Sequence, residues 1–264
     1  MRVGPRRLAV VAIGAVVLLT ASGCTANEAF FFDMPESATK EGDITTNLWQ
    51  GSWIAAWLVG LVTWVLMLWA AFAYRRRKNA GNAPEQTRYN IPIEIMYTVV
   101  PLIMILGLFW FTAKDQSEIL TVENNQTQTV NVNGWRWSWG FNYIEQNVYD
   151  AGTPDAYPTL WLPVNEKVRF ELTSPDVIHS FWVPDFLFKM DVIPGKTNVF
   201  ELTPDKEGTY AGKCAELCGT YHSGMLFNVK VVSRAEFDKH MAELKAAGQT
   251  GKVQTGQVTD EGQI

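Results

Sequence analysis

Soft ligands are scarce in this chain: among 264 residues there are three cysteines and three histidines. Three imidazoles are too few for a chain that would carry several imidazole-ligated centres by itself. Charge is missing altogether from residues 45–74, which excludes a solvated segment there. Beyond Asp115 it is long apolar runs that are missing, and no internal repeat occurs anywhere, which excludes a solenoid or array. A basic excess is missing too. From Asp115 onward there are 20 acidic and 12 basic residues, a balance that repels nucleic acid and attracts basic partners, or simply keeps a domain soluble.

What is present begins with an export signal. Three arginines stand in the first seven residues, followed by an apolar stretch over 8–19 and then small residues. The end of the signal, Ala21-Ser22-Gly23-Cys24, resembles the lipobox of bacterial lipoproteins, in which Cys24 becomes the lipidated first residue of the mature chain. An ordinary cleaved signal with an incidental cysteine is the alternative. Both place the mature N-terminus outside the cytoplasm.

Residues 53–73 are dense in Leu, Val, Ala and Trp and can cross the roughly 30 Å of a bilayer's hydrocarbon as a helix. Arg75-Arg76-Arg77-Lys78 follows directly, and the short connection adds Arg88 against the single acid Glu85. By the positive-inside rule the loop 75–90 is cytoplasmic. A second apolar run, 91–113, carries Glu94 near its cytoplasmic end and closes on Lys114 and Asp115. The pattern predicts a two-pass helical hairpin with both ends outside. Glu94 reads either as a boundary side chain that snorkels to the interface or as the mark of a proton path through a partner bundle.

Past Asp115 short alternating segments take over: 130–132, 168–172, 199–202 and 227–231. Period-two alternation punctuated by Gly and Pro predicts half-buried strands in one small β-sandwich or barrel. The organisation is therefore a signal at 1–23, an extracytoplasmic segment at 24–44, a transmembrane hairpin at 45–114, a β domain at 115–232, and a helix with a polar tail at 233–264. That helix is expected over 234–245 with His240 on its surface, and the tail is expected to be disordered.

The chemistry gathers in K-C-A-E-L-C-G-T-Y-H-S-G-M, residues 213–225. Cys214 and Cys218 are four apart, His222 four further on, Met225 three beyond. In an exported domain a close cysteine pair can be a disulfide. The neighbours favour a metal, because thiolate, imidazole and thioether together select copper. His179 lies upstream in a Pro-containing loop. With His240 set aside, two histidines match two cysteines, which suggests two metals sharing two bridging sulfurs. Such a pair spreads one electron's charge over the whole core and leaves no open position for a substrate.

The chain resembles subunit 2 of the cytochrome c oxidases, the haem-copper terminal oxidases, from the first span to about Val232. The most specific match is C-A-E-L-C-G-T-Y-H-S-G-M, similar to the family's C-x-E-x-C-x-x-x-H-x-x-M signature for the binuclear copper centre CuA. The resemblance implies a membrane hairpin carrying an all-β, cupredoxin-like Greek-key sandwich. It implies that Cys214 and Cys218 bridge two coppers, His179 and His222 cap them, Met225 is a weak axial ligand, and Glu216 gives its carbonyl to copper and its carboxylate to a magnesium ion at the boundary with the catalytic subunit.

The run Gly134-Trp135-Arg136-Trp137-Ser138-Trp139 is similar to the family's Q-W-x-W-x-Y segment, which makes Trp137 the electron-receiving residue and Trp139 its neighbour. Asp176 stands at a position the family uses to dock cytochrome c, and Glu94 in E-I-M-Y-T-V-V-P matches the glutamate at the mouth of a proton channel. The implied function is to take electrons from cytochrome c and pass them to subunit 1, which reduces oxygen and pumps protons, with subunit 3 as a further partner in the bacterial plasma membrane. Tyr97, Arg136, Phe141 and Lys213 depart from the family's usual residues. None removes a ligand, but Arg136 and Lys213 add positive charge near the docking face, which suits a membrane-bound cytochrome c held in a supercomplex. A quinol oxidase subunit 2 would lack the copper ligands, a copper-delivery protein would need an exposed site, and a structural lipoprotein would close the cysteines as a disulfide.

Overall fold

The two apolar runs form two helices long and apolar enough to cross a membrane. Helix α1 spans Lys40–Ala73 and helix α2 spans Ile91–Ile119. The computed structural model describes residues 34–75, 86–123 and 125–253. The signal at 1–23 with Cys24, the basic residues Arg76, Arg77 and Lys78 with Glu85, and the tail from 254 lie outside the described residues. Thr39 starts α1 by accepting the Gly42 N–H at 3.0 Å, and Glu41 and Asp43 in the first turn suit the positive end of the helix. Asn90 caps α2, with Pro92 in the first turn, where its missing N–H costs nothing.

Both helices outrun the apolar runs that predict them. α1 begins in the segment assigned to 24–44, and α2 continues through Lys114 and Asp115 to Ile119, into the stretch assigned to the β domain. The reason is that hydrophobicity marks the lipid-facing part of a helix, whereas caps mark its ends.

Among the described residues, ten strands make two five-stranded sheets, ordered β3-β2-β1-β5-β8 and β4-β10-β9-β6-β7. In the first, β1 (Gln128–Trp135) pairs antiparallel with β2 (Ser138–Tyr143) and parallel with β5 (Val168–Thr173); β3 (Val148–Ala151) and β8 (Asn198–Leu202) are its edges. In the second, β10 (Leu226–Val232) pairs parallel with β4 (Thr159–Pro163) and antiparallel with β9 (Gly208–Cys214), which continues to β6 (His179–Val183) and β7 (Phe188–Val192). All four alternating segments lie in strands. In β5, Val168, Phe170 and Leu172 are fully buried while Arg169 and Glu171 face outward and pair at 3.8 Å. The expected class, a helical hairpin with a two-sheet β-sandwich, is the observed one.

Aromatic rings fill the space between the sheets. Phe170 stacks on Phe200 at 4.8 Å, Phe181 on Phe227 at 5.1 Å, and Trp139 meets Phe227 edge-on at 5.3 Å. Burying such rings is the largest stabilising contribution here, of order 2–3 kcal/mol each. Gly212 has to be glycine, since a Cβ there would lie 2.1 Å from the Phe227 ring.

Helix α3, Arg234–Ala246, is capped by Ser233 and buries Phe237, Met241 and Leu244. His240 is not the surface residue expected. Its ring stacks on Trp161 at 3.9 Å and 16°, because β4 presents that indole outward where the helix crosses it. The first part of the tail is also ordered: Thr250 bridges Val148, Tyr149 N–H donates to Gln249, and Val253 N–H donates to Asn142. The open edge of β3 supplies the backbone partners at Val148 and Tyr149, and the Asn142 side chain on β2 holds Val253.

Candidate metal centre

Adjacent strands of the second sheet bring the scattered donors together. His179 opens β6, Cys214 closes β9, and Phe181 pairs with Cys214 in the ladder between them. The chain then leaves β9, loops over residues 215–225 and returns as β10. Cys214 N–H donates to the Met225 carbonyl at 3.0 Å, and Ala215 N–H donates to that of Ser180 at 3.0 Å, so the loop is fixed at its base. A short 3-10 turn, His222–Gly224, aims His222 back at the loop. Gly219 has φ of 121°, a conformation that side chains with a Cβ rarely adopt, and a Cβ there would lie 3.0 Å from the Trp137 ring.

The result is a paired set of donors. Cys214 Sγ lies 3.9 Å from His179 Nδ1 and 3.2 Å from the Glu216 carbonyl oxygen. Cys218 Sγ lies 3.5 Å from His222 Nδ1 and 3.7 Å from Met225 Sδ. The two sulfurs are 3.9 Å apart. His179 and Met225 are fully buried, the cysteines nearly so. Each sulfur thus has its own imidazole and its own weak donor.

A disulfide needs its sulfurs about 2.05 Å apart, and both cysteines are free. A separation of 3.9 Å instead leaves room for a metal between the sulfurs at the usual metal–thiolate distance of about 2.3 Å. His179, Cys214 and Cys218 place their ligand atoms within 4.8 Å of one another. The electrostatics agree. Burial pushes both thiols up, but at Cys214 hydrogen bonds with His179 and the backbone at Glu216 and Ser180 outweigh it and bring the group down to about 7. At Cys218, burial and the neighbouring Cys214 charge push it up to about 12. Two thiolates this close repel unless a cation lies between them, and metal coordination is what deprotonates such a pair.

The other expected residues fall in different places. Trp137 sits in the turn between β1 and β2, half-buried, and its Nε1–H donates to the Cys218 carbonyl at 3.2 Å. Trp139 is wholly buried, edge-on to His179, with Nε1–H directed at the Met225 carbonyl at 3.4 Å. Glu216 keeps its side chain exposed on the loop. Glu94 lies far along the chain in the first turn of α2, where its carboxylate accepts the Asn90 N–H at 2.8 Å.

Asp176, expected to dock a partner, is partly exposed and has both carboxylate oxygens engaged. Its Oδ1 meets His179 Nε2 at 3.0 Å and accepts the Val177 N–H, while Oδ2 accepts the Arg136 N–H at 2.8 Å and lies 3.4 Å from Arg136 Nε. Burial would raise its pKa, but these bonds outweigh that and hold it well below the usual carboxylate range. Spacing alone hid this contact, because Asp176 reaches His179 only through the turn between β5 and β6. Tyr221 was also missed. Its ring stands edge-on to Trp137 at 5.1 Å, and the one available signal was its place beside His222.

The chain is similar to several known proteins. The profile of a family described as "Cytochrome C oxidase subunit II, periplasmic domain" matches residues 153–232. A "Probable cytochrome c oxidase subunit 2" of Streptomyces avermitilis is 47% identical over 95% of this chain and 91% of its own. A "Cytochrome c oxidase subunit 2" of Mycobacterium tuberculosis is 31% identical over 91% and 82%. Among solved structures, the periplasmic domain of subunit II of the cytochrome oxidase of Bradyrhizobium japonicum is 29% identical, covering 48% of this chain and 99% of that one, with a TM-score of 0.44.

Proposed function

Because the chain belongs to the cytochrome c oxidase subunit 2 family, subunits of an oxidoreductase complex, we propose that it takes electrons from a cytochrome c and hands them to the haem-copper catalytic subunit. The observation that carries this reading is the pairing of two buried, unjoined sulfurs with one imidazole each. Cys214 and Cys218 would bridge a binuclear CuA centre, His179 and His222 would cap it, and Met225 Sδ and the Glu216 carbonyl would be its weak ligands. When bound, that centre supplies one-electron chemistry with the charge spread over two metals.

The chain's own residues do the rest. The loop ties at Cys214, Ala215 and Met225 keep the ligands in place in both redox states. Burial excludes water and exchange, which suits a resident metal and argues against a copper-delivery role. Trp137 borders the loop with one edge towards solvent and a bond to the residue that carries the Cys218 thiolate, so it is the surface group best placed to receive an electron. Trp139 is its buried neighbour, a wall of the site. Glu216 would give one carboxylate oxygen to magnesium at the boundary with subunit 1. A magnesium ion takes about six oxygen ligands, so the others must come from elsewhere.

The two apolar helices and an outer β domain fit a membrane protein. In this reading they make a two-pass hairpin in the bacterial plasma membrane, docked on subunit 1 with subunit 3 beyond, and Cys24 would add a lipid anchor. Glu94 would stand at the mouth of a proton path. Asp176, partly exposed, would join the rest of the acidic surface in steering a soluble or membrane-bound donor. The test is rapid mixing of the assembled oxidase with reduced cytochrome c. Wild type should oxidise the donor, and a Trp137→Phe complex with full copper should do so more slowly. Equal rates would remove Trp137 from the route, and a wild-type complex that oxidises quinol but no cytochrome would overturn the reading.

A further inference from the structure

The loop between β5 and β6 and the turn between β1 and β2 meet at one side chain. Asp176 touches the candidate ligand His179 with one oxygen and Arg136 with the other. Arg136 is also the residue before Trp137, whose indole is bonded to the Cys218 carbonyl. The turn is therefore tied to the metal centre at two points, once through each half of the donor set. Asp176 is further held by the Val177 N–H and by the Ser174 hydroxyl.

We infer that Arg136 is a positioning residue of the metal centre: through Asp176 it fixes the orientation of His179, and its charge offsets the carboxylate's effect on the redox potential. This rests on the copper reading above. A carboxylate bonded to the remote nitrogen of a metal-binding imidazole fixes its tautomer and makes it a better donor. That favours the more positive, oxidised metal and lowers the potential. A guanidinium on the same carboxylate acts in the opposite sense. Neutralising each charge in turn should therefore move the potential in opposite directions, which a merely structural pair would not do.

The experiment is redox titration of the copper absorbance of the assembled oxidase at low ionic strength, where the exposed guanidinium is least screened. Arg136→Gln should shift the oxidised-to-reduced ratio at a fixed ambient potential by about three- to tenfold towards the oxidised form, on Coulomb grounds for a partly screened charge. Arg136→Lys should stay within about twofold of wild type, and Asp176→Asn should shift the ratio the other way. Arg136 is exposed, so its variants should keep their full copper content. A normal copper spectrum with an unmoved potential in Arg136→Gln, or shifts of the same sign in Arg136→Gln and Asp176→Asn, overturns the inference and leaves the copper reading standing. Absence of the copper absorbance in wild type overturns that reading itself.

Discussion

Trp139 with His179 and Trp161 with His240 are two histidine–tryptophan pairs of the outer domain, and they are built in opposite ways. His179 stands edge-on to its indole, 6.2 Å between centroids at 60°, so both ring nitrogens stay available. Nδ1 faces a sulfur and Nε2 a carboxylate. His240 lies flat on its indole, with the Lys230 ammonium over the same indole at 4.1 Å and Glu243 at 3.6 Å from Nδ1. There the imidazole's face does the packing and Nδ1 is turned to a carboxylate. Burial alone does not mark a histidine as a candidate ligand; what marks His179 is a ring nitrogen that faces a thiol sulfur.

The comparison breaks most easily at the sulfurs. Cys218→Ser removes one of the two proposed bridging thiolates but hardly changes volume, so the chain should fold and carry less than the full copper. Oxidation of cytochrome c by the assembled complex should fall by more than ~100-fold, beyond what is lost when only a supporting partner of a ligand is removed. Copper analysis beside the rate would check it. Next come the two indoles. Trp139→Ala opens a cavity in the core and should cost about 3–5 kcal/mol together with copper. Trp161→Ala should cost about 1–2 kcal/mol, the worth of one ring pair and one cation–π contact, with copper unchanged. Denaturant midpoints with metal counts separate the two.

The smallest effect is a pH dependence. Burial holds His240 below its ordinary value of 6.5, in spite of the nearby Asp150 and Glu243 charges, with Lys230 adding to the depression. The unfolded chain then binds a proton more readily than the folded one, so stability falls as pH drops through 6.5 towards the lower folded value. His240→Gln should flatten that slope between about pH 7 and pH 5, as read from thermal midpoints. An unchanged slope would assign it to another group.

Much of this was legible in the residues. The charge-free run over 45–74 and the basic cluster after it announced a hairpin, and alternation at 168–172 or 227–231 announced strands, because each pattern reports which neighbours a segment buries against. The spacing of Cys214, Cys218, His222 and Met225 announced a cluster of soft donors, since one short loop must bring them together. Illegible were the contacts made by folding at a distance. Asp176 could not be seen to turn towards His179 and Arg136, nor His240 to meet Trp161, 79 positions away by numbering. Helix ends were misplaced because caps such as Thr39, not hydrophobicity, set them.

The central claim is that Cys214 and Cys218 bridge two coppers. Electron paramagnetic resonance of the oxidised, copper-loaded chain, with copper counted per chain, tests it most directly. The expected result is two coppers and the seven-line hyperfine pattern of one unpaired electron shared equally by two nuclei. One copper with the pattern of a single nucleus, or no copper with Cys214 and Cys218 joined to each other, would contradict it.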